Sequence, residues 1–154
     1  MIALASDHGG IQLKEAVKEL LQERGIPFED CGTDAGTSVD YPDYGEKVAR
    51  KVAAGAAEKG VLFCGTGIGM SIVANKFPHV RAALVTDAFM AQMAKEHNNA
   101  NILVLGGRVL DGNQAREMVA TWLDAVFEGG RHQGRLDKIA RIEQEIYRTG
   151  SQEE

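Results

Sequence analysis

The sequence predicts an α/β fold, a three-layer αβα sandwich in which helices cover both faces of a five-stranded parallel sheet. Short apolar runs alternate along the whole chain with segments whose apolar residues recur at helical spacing. This alternation is typical of right-handed βαβ units, in which consecutive strands run parallel. Polar and glycine-rich motifs follow several of the runs, where open parallel sheets bind their ligands. The predicted domain is therefore Rossmann-like, with an additional C-terminal helix.

The elements follow one another in a regular order. Strands are predicted over the apolar runs 2–6, 26–31, 61–64, 81–85 and 101–105. Helices are predicted between and after them, over 13–21, 44–54, 70–77, 87–97 and 115–126. Gly25 and Pro78 end two of these helices, and Asp111 begins another as a cap.

A last helix, over 136–147, follows a glycine break and carries three isoleucines on one stripe. No further strand is available to cover this stripe. We therefore expect residues 1–147 to form a single domain whose extension, 128–147, packs on a partner subunit in a symmetric homodimer or a tetramer. The alternative is that the extension packs on its own domain. Residues 148–154 are expected to form a polar tail.

Length and composition are typical of one globular domain, because 154 residues are enough for a single core. The net charge of -5 argues against nucleic acid as the main partner. No apolar run approaches the roughly 20 residues of a membrane span, and the N-terminus enters a strand without a charged leader. We therefore expect a cytoplasmic protein. The two cysteines make no disulfide framework, and no histidine or cysteine cluster has zinc spacing.

The most informative motif is Cys64-Gly65-Thr66-Gly67-Ile68-Gly69, which joins the third strand to a helix. Its spacing matches neither the dinucleotide fingerprint nor the P-loop. Successive N–H groups in a glycine turn at a helix N-terminus can hold an anion. A thiol beside such a turn suits proton abstraction next to a carbonyl, or acyl transfer. The alternative is a tight turn with a buried, inert cysteine.

Polar residues at other strand ends are candidates for the same site. Asp7-His8 follows the first strand and Arg108 follows the fifth, so both belong to the sheet edge that carries Cys64. His97-Asn98 closes a helix instead, which places it near the opposite edge unless a second subunit supplies it. The structural alternatives are a helix cap for Asp7 and a cation at a helix C-terminus for His97.

Two further segments are candidates for binding the substrate, and the first of them suits an anionic group. Arg131 and Arg135 share a face if helical, and a guanidinium pair is suited to phosphate. The alternative is a solvated helix face. Tyr41 lies in a turn with two phenols, residues 40–44, whose alternative is a helix N-terminus with acidic residues.

Taken in order, these motifs resemble one family, the type B ribose-5-phosphate isomerases with the related galactose- and allose-phosphate isomerases. The matching stretches cover nearly the whole chain. They are Ser6-Asp7-His8-Gly9-Gly10, Gly32-Thr33, Val39-Asp40-Tyr41-Pro42, the turn from Cys64 to Gly69, Ala74-Asn75-Lys76, Glu96-His97-Asn98, Asn101 and Glu128-Gly129-Gly130-Arg131-His132. The resemblance implies interconversion of an aldose and a ketose phosphate through an enediolate, without metal or organic cofactor.

The resemblance also implies a role for each matching residue, in a site that lies between two subunits. Cys64 is implied to be the base that moves a proton between C2 and C1. Thr66 is implied to form a hydrogen bond with the thiolate or with the reacting oxygens. The enediolate is implied to be stabilised by the amides of Gly65, Gly67, Ile68 and Gly69. His97 is implied to be the acid that opens the sugar ring, assisted by Asp7. The remaining implied contacts to the substrate are Tyr41 and Asn98 and, for its phosphate, His8, Arg108, Arg131 and Arg135.

Ribose 5-phosphate and ribulose 5-phosphate are the first expectation for the substrate pair. An allose- or galactose-6-phosphate isomerase is the nearest alternative, and it needs room for one more carbon. A phosphosugar-binding sensor on the same fold is a more distant one, since fold does not determine function. Such a sensor has no need for the thiol of Cys64 or the acid His97. Acyl transfer by a Cys-His pair leaves the arginines without a role.

Overall fold

The structure is a computed structural model that describes residues 1–150. Its strands are β1 (Ile2–Ser6), β2 (Phe28–Asp30), β3 (Lys59–Cys64), β4 (Ala82–Leu84) and β5 (Ile102–Gly106). Its helices are α1 (Ile11–Glu23), α2 (Tyr41–Ala53), α3 (Ile68–Ala74), α4 (Ala88–Glu96), α5 (Gly112–Asp124) and α6 (Arg131–Gly150). The five strands pair in parallel in the order β2-β1-β3-β5-β4. The predicted α/β fold with a parallel sheet is confirmed.

Alternation of side chains along the central strands divides the core in two. In β1, Ile2 and Leu4 belong to the cluster that α1, α4 and α5 cover, whereas Ala3 and Ala5 belong to the cluster under α2 and α3. Because both faces are covered, every residue of β1 and of β5 is buried. The layers hold the carboxyl ends of β1, β3 and β5 side by side at one edge.

The structure corrects several predicted boundaries. The strands β2 and β4 are shorter than predicted, with three residues each, and both lie at an edge of the sheet, where only one neighbouring strand pairs with them. The helix α2 begins at Tyr41, three residues before its predicted start. Pro42 lies in the first turn of this helix, where backbone N–H groups have no acceptor within the helix, so that the missing N–H of proline costs no hydrogen bond. Residues 40–44 are thus the N-terminus of a helix, not a separate turn.

The last helix also differs from its prediction, because α6 is longer at both ends. It begins at Arg131, five residues before the predicted start. It continues through 148–150, which the sequence predicts as part of a polar tail. Residues 151–154 of that predicted tail lie outside the described residues.

The helix α6 runs beside the sandwich rather than on it. Of its described residues only His132 is buried, and the three predicted stripe isoleucines are more than half exposed. The backbone N–H of His79 donates to the Glu143 carboxylate at 3.1 Å, and the Tyr147 hydroxyl donates to the Lys76 carbonyl at 2.8 Å. A groove of about 770 Å³ separates α6 from the body of the domain. Within residues 1–150, no helix combines the length and the apolar character needed to cross a bilayer.

Candidate active site

A cleft of about 180 Å³ lies at the carboxyl edge of the sheet, between the loops that follow β1, β3 and β5. Its lining comes from these loops and from the first turns of α2 and α3: Asp7, His8, Gly9, Tyr41, Cys64, Gly65, Thr66, Gly69 and Arg108. The sequence predicts all of these as site residues except Gly9. The strand ends therefore bring together the residues expected from a parallel topology.

Cys64 ends β3 with its thiol against the floor of the cleft. The residue is buried, yet it belongs to the cleft lining. The backbone N–H of Gly67 donates to Cys64 Sγ at 3.2 Å. Gly67 adopts a φ of +84°, which turns the chain back toward the sulfur and favours glycine at this position. A backbone N–H directed at sulfur stabilises the thiolate, the form that accepts a proton.

The glycine turn makes internal hydrogen bonds as well as lining the cleft. Beyond the Gly67 bond to the thiol, the N–H of Ile68 donates to Thr66 Oγ1 at 3.3 Å. Two of the amides that the resemblance assigns to the enediolate thus contact the side chains of the turn itself. Tyr41 packs on Gly69 so closely that a Cβ there would lie 2.6 Å from its ring. The tyrosine therefore closes the cleft on the side of α2.

Three loops approach one another through glycines. A Cβ on Gly107 would overlap the carbonyl oxygen of Gly9, and one on Gly106 would lie 2.6 Å from the backbone of Thr66. The N–H of Gly107 donates to the Cys64 carbonyl at 2.8 Å. These contacts hold the loop after β5 against the two loops that carry the candidate catalytic groups. Sequence reasoning missed Gly106 and Gly107, although both stand directly after a predicted strand.

Asp7 is oriented by its own loop. Its Oδ1 accepts the N–H of Gly9 at 2.8 Å, and the residue is buried. The cap position of α1 is Gly10, which makes no side-chain cap, so the predicted alternative of Asp7 as a helix cap is wrong. Asp7 lines the cleft, where its carboxylate can accept hydrogen bonds from sugar hydroxyls.

The two candidates in the cleft for binding an anion come from different loops. His8 Nδ1 accepts the N–H of Val39 at 3.2 Å, so the ring carries a proton on Nε2 and can donate it to an anion. Arg108 lies against Gly65, and its backbone N–H donates to the Gly65 carbonyl at 2.8 Å. Both fit the predicted role of holding a phosphate.

Two predicted site residues, Gly67 and Ile68, belong to the glycine turn but not to the cleft lining, and four others lie away from the cleft within one chain. His97 is the C-terminal cap of α4 and precedes β5, whereas Cys64 pairs with the far end of that strand. Five residues of strand span about 13 Å, so the sheet itself separates the two side chains. Asn98 lines the groove beside α6. Arg131 and Arg135 are exposed, one turn apart on α6.

His97 has neighbours that sequence reasoning did not pair with it. Its ring stacks on that of His132, with centroids 4.1 Å apart and planes at 16°. Glu128 Oε2 lies 3.9 Å from His97 Nε2 and 3.5 Å from His132 Nε2. Burial lowers the pKa of the His132 imidazole, and the nearby charge of a protonated His97 lowers it further. The pKa of His132 therefore lies below that of an ordinary imidazole.

Comparison with known proteins agrees with this geometry. A model of the Ribose/Galactose Isomerase family matches residues 2–139. The chain belongs to this family. The Ribose-5-phosphate isomerase B of Escherichia coli is 44% identical over 143 residues, which cover 93% of this chain and 96% of that protein. The predicted family and enzyme class, an aldose–ketose isomerase of sugar phosphates, are confirmed.

Solved structures show the same fold. A ribose-5-phosphate isomerase B from Clostridium thermocellum is 50% identical, with a TM-score of 0.92 over 94% of this chain and 98% of that one. The enzyme from Mycoplasma genitalium, solved with bound ribulose-5-phosphate, is 42% identical, with a TM-score of 0.90 over 94% of this chain and 96% of that one.

Proposed function

We propose that this chain interconverts D-ribose 5-phosphate and D-ribulose 5-phosphate, with Cys64 as the base. The observation that carries the proposal is the cleft in which a thiol, held by the N–H of Gly67, shares its lining with two N–H donors for an anion, His8 and Arg108. The Mycoplasma genitalium enzyme, solved with bound ribulose-5-phosphate, aligns with almost the whole chain.

The reaction needs one proton to move between neighbouring carbons. His97 donates a proton to the ring oxygen as the sugar opens, and Asp7 accepts from the hydroxyl that becomes the carbonyl. The Cys64 thiolate then takes the proton from C2, and the C–H electrons move to form the C1–C2 double bond of an enediolate. Thr66 and the amides of Gly65 and Gly69 stabilise its oxygen, while the Gly67 amide holds the sulfur. A proton passes from the C2 hydroxyl to the oxygen on C1, and the thiol returns its own proton to C1. These two transfers give the ketose and regenerate the thiolate.

Binding of the phosphate fixes the substrate at the end remote from the reacting carbons. His8 and Arg108 come from the cleft itself. Binding energy from a remote phosphate positions the sugar and so contributes to the rate of the chemical step. Tyr41 and Asn98 are assigned to the sugar between these ends.

The complete site in this proposal lies between two subunits of a homodimer. Four of its residues lie outside the cleft of their own chain, and the partner supplies them: His97, Asn98, Arg131 and Arg135. At about 180 Å³, the cleft of one chain is smaller than the ~300–1,000 Å³ typical of small-molecule sites. The isoleucine stripe of α6 and the groove beside it form an apolar surface that a second copy would cover.

Mixing two inactive variants tests the shared site. Cys64→Ala and His97→Asn homodimers should each lose activity. After subunit exchange, a mixed dimer holds one site with both groups intact, so about a quarter of the wild-type activity should return. A mixture that stays inactive after exchange, with mixed dimers demonstrated by mass spectrometry, contradicts the shared site but not the isomerase activity.

The substrate is tested by turnover in EDTA. Wild-type protein should form ketose from ribose 5-phosphate faster than from allose 6-phosphate, and Cys64→Ala should abolish both reactions. Cys31→Ala is the matched control, because that thiol is half-buried beside the end of β2 and outside the cleft. Turnover of the hexose alone would assign the sister activity. Binding of both sugars without turnover would leave a sensor.

A further inference from the structure

We propose that His97, Glu128 and His132 form a binding site for Zn²⁺ or a similar divalent transition-metal ion, and that the bound ion inhibits the enzyme. Their ligand atoms, two imidazole nitrogens and one carboxylate oxygen, all lie within 4.8 Å of one another. Within one chain, these three residues lie outside the Cys64 cleft. The inhibitory consequence rests on the proposed function, in which His97 opens the sugar ring.

The buried nitrogen of His132 is the observation that points to a ligand. His132 is 4% exposed, and its Nε2 has no hydrogen-bond partner among the described residues. The nearest acceptor, Glu128 Oε2, is 3.5 Å away, too far for a good hydrogen bond. Buried polar atoms are rarely left without a partner. An ion between this nitrogen and the carboxylate supplies that partner.

The backbone holds the carboxylate at this place. The N–H of Glu128 donates to the Glu96 carbonyl at 3.0 Å, which ties the segment after α5 to the end of α4. Glu128 and His132 are also one helical turn apart in sequence, on either side of two glycines with positive φ. The three donors therefore converge from the end of α4, the connecting segment and the first turn of α6.

The donor set is one that zinc prefers. Two imidazoles and a carboxylate around an open fourth position are a common zinc arrangement, with metal–ligand distances of about 2.0–2.2 Å. Tetrahedral ligands at that distance lie about 3.4 Å apart, which the carboxylate and His132 nearly match at 3.5 Å. His97 has to turn out of its stack on His132, since two parallel rings cannot aim lone pairs at one ion. Its side chain is 37% exposed and so has room to turn.

Binding of the ion removes His97 from the reaction. A nitrogen that coordinates Zn²⁺ has no lone pair left to carry the proton that ring opening requires. Inhibition should therefore be strongest with ribose 5-phosphate, which is mostly cyclic. It should be weaker in the reverse direction, because the phosphate of ribulose 5-phosphate occupies the O5 that would otherwise close a five-membered ring on the C2 carbonyl.

Cobalt(II) is the probe for the site, because its spectrum reports the ligands. Wild-type protein should bind one Co²⁺ per chain and show visible d–d bands without the near-ultraviolet band of a cobalt–thiolate bond. Glu128→Gln and His132→Gln should each weaken binding at least about tenfold. His79→Asn is the matched control, since that histidine is exposed and outside the cluster, and its affinity should equal that of the wild type.

Activity assays with added Zn²⁺ separate this inference from the proposed function. Zinc should inhibit wild type and His79→Asn alike, EDTA should restore activity, and Glu128→Gln should need at least about tenfold more zinc. A cobalt–thiolate band would place the ion on Cys64 and overturn the inference. An unchanged affinity of Glu128→Gln for Co²⁺ would show that Glu128 is not a ligand and would overturn it as well. If the protein is active in EDTA and neither Zn²⁺ nor Co²⁺ changes its activity, the metal-site inference is overturned and the isomerase activity stands. If the protein binds cobalt as described but does not turn over the sugar phosphate in EDTA, the proposed isomerase activity is refuted and the metal site stands.

Discussion

Replacing Gly67 by alanine should disturb the catalytic turn more than it disturbs the fold. Gly67 has a φ of +84°, and a Cβ there would lie 2.5 Å from Leu84 Cδ1 and 3.3 Å from the Leu105 carbonyl carbon. Gly55 offers a matched control. Its φ is +77°, but a Cβ there would meet nothing within 4 Å.

The two sites separate backbone strain from crowding. A left-handed alanine costs roughly 1–2 kcal/mol, so Gly55→Ala should lower the free energy of unfolding by about 1 kcal/mol once the stiffer unfolded chain is counted. Gly67→Ala carries the same cost and also displaces the Leu84 side chain, an overpacking of about 1–3 kcal/mol. We therefore expect a loss of about 2–4 kcal/mol for Gly67→Ala.

Urea denaturation and isomerase kinetics together test this reasoning. Because the Gly67 N–H holds the Cys64 sulfur, a shift of about 1 Å should lower kcat for ribose 5-phosphate about 100-fold, while Gly55→Ala keeps wild-type kcat. Equal losses of stability in the two variants would refute the crowding at Leu84. Wild-type kcat in Gly67→Ala would refute the role of the turn in positioning the thiol.

The remaining predictions concern the buried charges and the phosphate. Lys14 is fully buried and bonds Asp30 at 2.9 Å, so Asp30→Asn should cost about 3–5 kcal/mol in urea denaturation, and a loss near zero would contradict a charge pair. Burial raises the pKa of Asp30, but hydrogen bonds from Lys14 and from the N–H of Gly32 outweigh it, and the folded-state pKa is lowered. The stability from Asp30 should thus be present above the ordinary carboxyl pKa of about 3.9 and be lost as pH falls through the lower folded pKa. In thermal melts, the melting temperature of the wild type should fall as the pH is lowered through this range. An equal fall in Asp30→Asn would contradict the assignment to Asp30. Arg108→Gln should raise KM for ribose 5-phosphate about 10–100-fold, which corresponds to the free energy of a charge-assisted hydrogen bond. An unchanged KM would show that Arg108 does not bind the phosphate.

The strand interiors and the site edge could be predicted from the sequence because they follow from periodicity and from parallel topology. The apolar runs of β1 and β5 are buried on both faces and admit one interpretation. The separation of His97 from Cys64 also follows from strand direction alone. The early start of α2 could not be predicted, because a proline such as Pro42 is common both in turns and in the first turn of a helix.

Contacts between distant loops could not be predicted. The approach of Gly107 to Gly9 depends on how two strand ends meet in space. The stack of His97 on His132 depends on where α6 begins, and an assignment of α6 from its isoleucine stripe alone misses its first turn. A polar, glycine-rich first turn carries no apolar periodicity to mark it.

The central claim, proton transfer by Cys64 between C2 and C1 of ribose 5-phosphate, is tested most directly by proton NMR in D₂O. Wild type and Cys31→Ala should form ribulose 5-phosphate with deuterium at C1, because a thiol exchanges its proton with solvent during the lifetime of an enediolate. Cys64→Ala, folded by circular dichroism, should form no ketose and incorporate no deuterium above the rate without enzyme. Deuterium incorporation by Cys64→Ala at the wild-type rate would assign the base to another group and contradict the account.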